Sequence, residues 1–167
     1  MRPGRGRGRG VTHPGSPWRL ANVPVPPAHV VGLVVAVLLQ RVSPRSPVRT
    51  RWVLALPLSA LGTALAAASV RAASEVHLAQ PDRLVTTGPY AVIRHPMYVA
   101  WGLIHLGLGL ATGSRWTLLT APLAAVVVHG ETIAEERRLL ASFPAQMGGY
   151  RITTPAYVPR RRRPPRA

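Results

Sequence analysis

Four apolar stretches run through the middle of the chain, each separated from the next by a polar segment. Residues 28–39 and 52–70 carry no charge, and residues 97–112 and 116–130 flank the short polar sequence at 113–115. A bilayer requires about 20 apolar residues in a helix, which the second stretch nearly supplies and the first reaches only marginally. The last two stretches are typical of a helical hairpin. We therefore predict an all-α fold, a polytopic membrane bundle of about four transmembrane helices.

The two ends of the chain differ in composition from its apolar centre. Residues 1–27 are rich in Gly, Pro and Arg, and the chain closes with the sequence RRRRPPRA. Such segments have little to bury, so we expect disordered tails at residues 1–27 and 159–167 around a membrane domain at residues 28–158. The first tail lacks the uninterrupted apolar core of a signal peptide.

The charge of the chain is low in amount and strongly one-sided in sign. Only 16% of the residues are charged, below the roughly 25% of soluble domains, and the 21 basic residues, all Arg, face 5 acidic ones for a net charge of +16. If both termini are cytoplasmic, 16 of the 21 Arg lie on the inner side, as the positive-inside rule requires. We expect a multi-pass protein of the inner or plasma membrane whose Arg tails attract anionic phospholipid, and no specific nucleic acid. The oligomeric state is open.

The segment GPYAVIRHPMY, residues 88–98, leads into the third apolar stretch and is too polar to cross a membrane itself. Pro96 suits the first turn of a helix. Tyr90, Arg94, His95 and Tyr98 would then be gathered at the membrane surface, either as the rim of a cofactor site or as an interfacial anchor.

A second polar cluster follows the fourth apolar stretch. Three of the five acidic residues, Glu131, Glu135 and Glu136, lie within six positions. Glu131 and Glu135 share one helical face, whereas Glu136 projects to another side. The alternative is a solvated helix in which Glu135 pairs with Arg137 or Arg138, a contact worth about 0.3–0.5 kcal/mol.

Together the two clusters resemble the isoprenylcysteine carboxyl methyltransferases and the related phospholipid methyltransferases, integral membrane enzymes that use S-adenosylmethionine. The resemblance covers about residues 52–160. It consists of GPYxxxRHPxY, an apolar hairpin, the pair Glu135-Glu136 and the ending Val158-Pro159-Arg160.

This resemblance implies a cofactor site at the cytoplasmic face for S-adenosylmethionine as co-substrate, and no catalytic metal. A carboxylate and a Tyr ring both stabilise a sulfonium cation, while Arg94 suits the cofactor's carboxylate or a phosphate headgroup. The catalytic residues we expect are Arg94, Glu131 and Glu135. The implied cofactor-binding residues are Tyr90, His95, Pro96, Met97, Tyr98, Glu135 and Glu136.

The family-level acceptor is a prenylated cysteine carboxylate, so isoprenylcysteine carboxyl O-methyltransferase activity is the first expectation. The prenylcysteine enzymes commonly have Arg four residues before the first Glu of the pair, where this chain has Glu131. A carboxylate there repels a carboxylate substrate but suits an amine, or accepts its proton. A phospholipid or other amine N-methyltransferase is therefore the alternative.

A rival of another class is a non-enzymatic membrane protein that binds anionic lipid or nucleic acid through its Arg tails. It accounts for the tails and leaves the two polar clusters unexplained.

Two histidines lie within or beside the apolar stretches, where ionisable groups are functional candidates. His105 shares a helical face with Trp101, Gly109 and Gly113, which favours a role in helix packing. His129 lies at a membrane boundary, which favours an interfacial role, although its helical register toward Glu136 keeps it a functional candidate.

The C-terminal part departs from the family outline. An aromatic residue expected a few positions after Tyr150 is replaced by Thr153, and Pro144 with Gly148-Gly149 is expected to interrupt the preceding segment. This predicts a looser or shorter terminal lid.

Overall fold

The structure is a computed structural model that describes residues 26–43, 50–74, 76 and 83–160. It contains five α-helices, and no strand occurs in these ranges. The helices are α1 (Pro27–Val42), α2 (Trp52–Ala72), α3 (Pro96–Thr112), α4 (Arg115–Ser142) and α5 (Pro144–Thr153). The all-α prediction is confirmed. The two predicted tails lie almost entirely outside the described residues, and the predicted domain boundaries stay predictions.

The membrane character rests most firmly on α2 and α4. Both are long and apolar enough to cross a membrane by length and composition, and α1 and α3 are shorter apolar helices of 16 and 17 residues. The fourth predicted stretch ends at Gly130, but α4 continues for three more turns through the acidic cluster. Its apolar part therefore carries a polar helical extension, residues 131–142.

The predicted hairpin between α3 and α4 is confirmed. Gly113 ends α3 with a φ of 61°, the left-handed conformation that glycine adopts without steric cost. Ser114 then caps α4, since its side chain accepts a hydrogen bond from the backbone N–H of Thr117. Two residues thus reverse the chain and set α3 and α4 antiparallel.

Close packing of α2 on α3 depends on small residues. A Cβ at Gly62 would lie 2.8 Å from the carbonyl oxygen of Ala100 and 2.8 Å from Cγ1 of Ile104. At the far end of the pair, the backbone N–H of Arg51 donates to Leu110 O at 3.2 Å. This pair of helices fixes the direction in which α3 presents its first turn.

A buried polar chain attaches α1 to the hairpin. His105 and Thr120 are joined at 3.2 Å, and the Thr120 hydroxyl donates to Trp116 O at 3.0 Å, so it accepts from His105 Nε2–H. His105 Nδ1 is then the acceptor for His29 Nδ1–H, 3.0 Å away. The packing role expected for His105 agrees with these contacts, and His29 is a partner that the sequence did not indicate.

These contacts show how far α1 extends. Its first turn meets the middle of α3 and α4 through His29, and near its other end Gln40 accepts a hydrogen bond from Ser114 at the α3–α4 turn. The described α1 therefore covers only the half of the hairpin that lies toward this turn. The other end of the bundle, where α2 ends and α3 begins, is left for the polar clusters.

Candidate functional site

The motif before α3 folds into a compact turn. Gly88–Ala91 form a short 3₁₀ helix that begins at Gly88 with a φ of 59°. Pro96 occupies the first position of α3, as predicted, because a residue at this position needs no backbone hydrogen-bond donor. Arg94 and His95 are thereby held at the helix start, beside the polar extension of α4.

Glu136 is the centre of the strongest polar network in the described structure. Arg94 Nε donates to Glu136 Oε1 at 2.8 Å, and His95 Nε2 lies 2.9 Å from the same oxygen. Arg151 Nε lies 3.2 Å from Oε2. The carboxylate on α4 is therefore held from two other elements, the start of α3 and α5, with the Glu136 and Arg94 side chains each only 11% exposed.

The other two carboxylates of the cluster have a different environment. Tyr98 Oη donates to Glu135 Oε2 at 3.0 Å. No ion pair of Glu131 or Glu135 occurs within the described residues, including none with Arg137 or Arg138. The alternative of a Glu135–Arg pair on a solvated helix is thus not what the structure contains. The face of α4 toward Tyr98 keeps an excess of negative charge.

Four rings lie side by side next to these carboxylates. His95 is stacked on Tyr98 with ring centroids 5.8 Å apart, and Tyr157 lies 5.8 Å from His95. Tyr157 Oη is in turn 2.9 Å from His129 Nδ1. The rings of Tyr98, His95, Tyr157 and His129 form what we call the ring row. It joins the start of α3 to the boundary of the apolar part of α4.

The segment after α5 is hydrogen-bonded to the motif by its backbone. The N–H groups of Arg94 and His95 donate to the carbonyl oxygens of Pro155 and Ala156 at 2.8 and 3.0 Å. The Arg94 guanidinium also donates to the carbonyl oxygen of Thr154. The C-terminal segment is therefore built into the site, and Tyr157 reaches the ring row because of it.

α5 itself is positioned by a tyrosine. Tyr150 Oη donates to the carbonyl oxygen of Tyr90 at 2.6 Å. α4 ends at Ser142 and Pro144 begins α5, so the interruption expected at Pro144 is confirmed. Gly148-Gly149 lie inside α5, so the interruption expected at these two residues is wrong. Pro at a first helical position is favourable because its fixed φ is already helical.

The surroundings fix the ionisation of three groups. Burial raises the pKa of Tyr90 to about 12, with a further contribution from Glu135, and burial also raises the pKa of Tyr150, so both hydroxyls stay protonated near neutral pH. Burial raises the pKa of Glu136, but hydrogen bonds and charge from His95 and Arg94 outweigh it and hold this pKa below its usual value. Glu136 is an anion in the folded protein.

An open pocket of about 570 Å³ lies on the C-terminal side of this network. It is lined by Arg94, Arg151 and Arg160 together with Gly148, Ile152, Pro155 and Ala156. Glu131, Glu135 and Tyr98 are not among its lining residues. Positive charge therefore collects around the pocket, whereas negative charge collects around Tyr98.

The structure brings most of the predicted site residues to one end of the bundle. A chain of hydrogen bonds and ring stacking links Arg94, His95, Tyr98, Glu135 and Glu136. Pro96 and Met97 are buried in the first turn of α3, and Tyr90 enters through its backbone carbonyl. Glu131 lies one turn before Glu135 on the same helix. The roles assigned to these residues stay predictions.

Two members of the site were missed from the sequence, Arg151 in α5 and Tyr157 in the segment after it. His129, for which an interfacial role was favoured, bonds Tyr157. The spacing of Tyr150 and Tyr157 was visible, but no pattern on the chain indicated that backbone bonds would return this segment to the start of α3.

Comparison with known families identifies the chain. A family model described as phospholipid methyltransferase matches residues 50–146, more than half of the chain. The chain belongs to the phospholipid methyltransferase family. This is a family of integral membrane methyltransferases, and its members generally use S-adenosylmethionine. The match spans α2, α3, α4 and the start of α5, which together carry both polar clusters.

Two curated proteins resemble this family member over part of their length. The cobalt-zinc-cadmium resistance protein CzcN of Cupriavidus metallidurans is 38% identical over 112 residues, which cover 65% of this chain and 52% of that protein. The nickel-cobalt-cadmium resistance protein NccN of Alcaligenes xylosoxydans xylosoxydans is 38% identical over 77 residues, covering 46% and 36% respectively. The match thus spans about half of the first relative and about a third of the second. No solved structure matches the chain.

Proposed function

We propose that the protein transfers a methyl group from S-adenosylmethionine to an acceptor carried by the membrane. The observation that supports this most is the contact between the two polar clusters, in which Tyr98 donates to Glu135 and Arg94 and His95 bind Glu136. Residues more than thirty positions apart in sequence form one site at the end of an apolar bundle. The rival of a non-enzymatic Arg-tailed protein gives no reason for this juxtaposition.

The residues of the site fit the cofactor by their chemistry. Its sulfonium would be stabilised by a carboxylate and an aromatic face, and Glu135 with Tyr98 offers both. Its amino-acid carboxylate would suit a guanidinium, and Arg151 and Arg160 line the neighbouring pocket. Arg94, assigned to such a role from the sequence, has its guanidinium engaged by Glu136 and by carbonyl oxygens of the C-terminal segment.

The bound cofactor would supply an electrophilic methyl group, and the protein's contribution would be mainly positional. A displacement at carbon needs the attacking atom, methyl and sulfur in line, so rigid placement can contribute several kcal/mol. Glu136 supports this placement by tying α3, α4 and α5 together. Tyr98 holds Glu135 by a hydrogen bond.

Two chemical groups are candidates for the methyl acceptor. The family resemblance implies a prenylated cysteine carboxylate. The charges favour the second candidate, an amine headgroup, because Glu131 and Glu135 lack a cationic partner among the described residues while Arg94 and Arg151 are paired with Glu136. An anionic acceptor near Tyr98 would be repelled, and a cationic one attracted.

We propose that all four apolar helices lie in the bilayer of an inner or plasma membrane with the site and both termini on the cytoplasmic side. The Arg tails would face anionic phospholipid. The acceptor would then enter from the lipid along α4, whose Val126 and Val127 are exposed one turn before His129.

Equilibrium binding of S-adenosylhomocysteine to the purified protein in detergent tests the proposal. We expect binding by the wild type and weaker binding by Glu135→Gln and His95→Ala. A folded wild-type protein that does not bind would overturn the assignment.

The acceptor candidates are separated by product chemistry. Membranes incubated with methyl-labelled cofactor yield a base-labile ester from a carboxylate and a base-stable product from an amine. In Glu131→Arg we expect increased methylation of a prenylcysteine if a cation at this position grips the carboxylate. Unchanged ester formation in this variant would contradict that role.

A further inference from the structure

The ring row ends at a histidine with an unused nitrogen. His129 is exposed, and its contacts within the described residues are made with Tyr157, through Nδ1 at 2.9 Å and ring centroids 5.8 Å apart. When Nδ1–H donates to Tyr157 Oη, the lone pair of Nε2 is free to accept a proton. The proposed function leaves this group without a task.

His129 lies where the apolar part of α4 ends, a position at which a lipid headgroup would contact it. It comes about one helical turn after Val126, which is 72% exposed, and two residues before Glu131. A lipid-borne acceptor with its chains along this face would therefore bring its polar group to His129. The titratable groups that follow His129 on α4 are Glu131, Glu135 and Glu136. Tyr98 and His95, at the start of α3, lie on the other side of Tyr157 from His129.

Other titratable groups of the ring row are already engaged. His95 is only 5% exposed and its Nε2 donates to Glu136, while the Tyr98 hydroxyl donates to Glu135. Imidazole as a class titrates closest to neutral pH, where a general base works best, whereas carboxylates are much weaker bases. His129 is therefore the side chain of the site best suited to accept a proton.

From this geometry we infer that His129 is the proton acceptor for an ammonium methyl acceptor, with Tyr157 holding the ring in the tautomer that leaves Nε2 unprotonated. This inference rests on the proposed function and specifies its acceptor as an amine. The N–H bond of the ammonium breaks, the proton forms a bond to Nε2, and the freed nitrogen lone pair forms the new N–CH₃ bond. The electron pair of the broken S–CH₃ bond stays on sulfur, which becomes a neutral thioether, and the imidazolium returns its proton to water.

Two substitutions isolate the proton transfer. His129→Asn keeps an amide N–H that can donate to Tyr157 but removes the basic nitrogen, and Tyr157→Phe keeps the ring while removing the hydroxyl. Ala141→Asn, on an exposed position of the same helix, is the matched control. The full chain in vesicles is assayed with phosphatidylethanolamine and, separately, with N-acetyl-S-farnesylcysteine.

We expect His129→Asn to lower kcat/KM for the amine by about 100-fold, the lower end for general-base catalysis, and Tyr157→Phe to lower it less. The loss should shrink as pH rises, because the free amine then needs no base. Methylation of the carboxylate and affinity for S-adenosylhomocysteine should fall much less than methylation of the amine in both variants, and Ala141→Asn should match the wild type.

Three results would overturn the inference: no methylation of the amine by wild type, an equal loss on both acceptors, or a loss in His129→Asn that does not diminish at high pH. Ester formation without amine formation would leave the proposed methyltransferase standing while removing this role of His129. Failure to bind S-adenosylhomocysteine would remove the proposed function itself.

Discussion

Arg94 and Glu136, 42 residues apart in the chain, form a two-point contact in which Nε and Nη2 of Arg94 lie 2.8 and 2.7 Å from the same oxygen, Glu136 Oε1. Both side chains are largely buried, and the same guanidinium also donates to the backbone after α5. The pair therefore joins the start of α3, the extension of α4 and the C-terminal segment. We expect the site to come apart when this ion pair is broken.

Replacing Glu136 by Gln should destabilise the protein strongly. Removing one partner of a buried ion pair leaves its cation uncompensated, and such changes cost about 3 kcal/mol or more. Glu135→Gln is the matched control, since its side chain is exposed and makes one hydrogen bond, to Tyr98, so we expect a loss within about 1 kcal/mol. Thermal unfolding in detergent measures both, and equal melting temperatures for the two variants would contradict the central place of Glu136.

Stability should fall in acid because the pKa of Glu136 is lower in the folded protein than the ordinary value of 4.5. A lowered folded-state pKa gives stability that is present above the unfolded value and lost as pH falls through the folded value. We expect Tm to drop below about pH 4.5 in the wild type and to drop less in Glu136→Gln. Parallel pH curves for the two proteins would show that another group is responsible.

Tyr98 should contribute to cofactor affinity in two separable ways. Tyr98→Phe removes the hydrogen bond to Glu135 but keeps the ring stacked on His95, so we expect S-adenosylhomocysteine to bind about fivefold more weakly. S-adenosylmethionine carries the sulfonium that the ring face stabilises, so Tyr98→Leu should weaken its binding by about tenfold or more. Isothermal titration with both ligands checks this, and equal affinities in all three proteins would remove Tyr98 from the cofactor site.

Gly62→Ala should loosen the contact between α2 and α3. The new methyl group would lie 2.8 Å from the backbone oxygen of Ala100, so one helix must shift, at a cost of about 2 kcal/mol. Gly102→Ala is the control, because a Cβ there meets nothing within 4 Å and alanine is the better helix former. Thermal unfolding should place Gly62→Ala below the wild type and Gly102→Ala at or above it, and the reverse order would refute the packing argument.

The sequence predicted the helices because their signals are local. Apolar stretches of near-membrane length, the Gly113-Ser114 reversal and Pro96 at a helix start each act through neighbouring residues. The apolar stretch predicted to end at Gly130 and the helical face predicted for Glu131 and Glu135 belong to one continuous helix, whose polar extension packs against α3 and α5. Pro144 separates α4 from α5, as predicted, and begins α5 just as Pro96 begins α3.

The sequence by itself also identified the family, through the carboxylates, rings and Arg of two short motifs. Only the tertiary structure decided which carboxylate is paired and which is left with excess charge. Glu135 and Glu136 are adjacent in the chain, but a helix directs them about 100° apart, so one meets Arg94 and the other Tyr98. The same holds for His129 and Tyr157, because their contact depends on backbone bonds between the C-terminal segment and the start of α3.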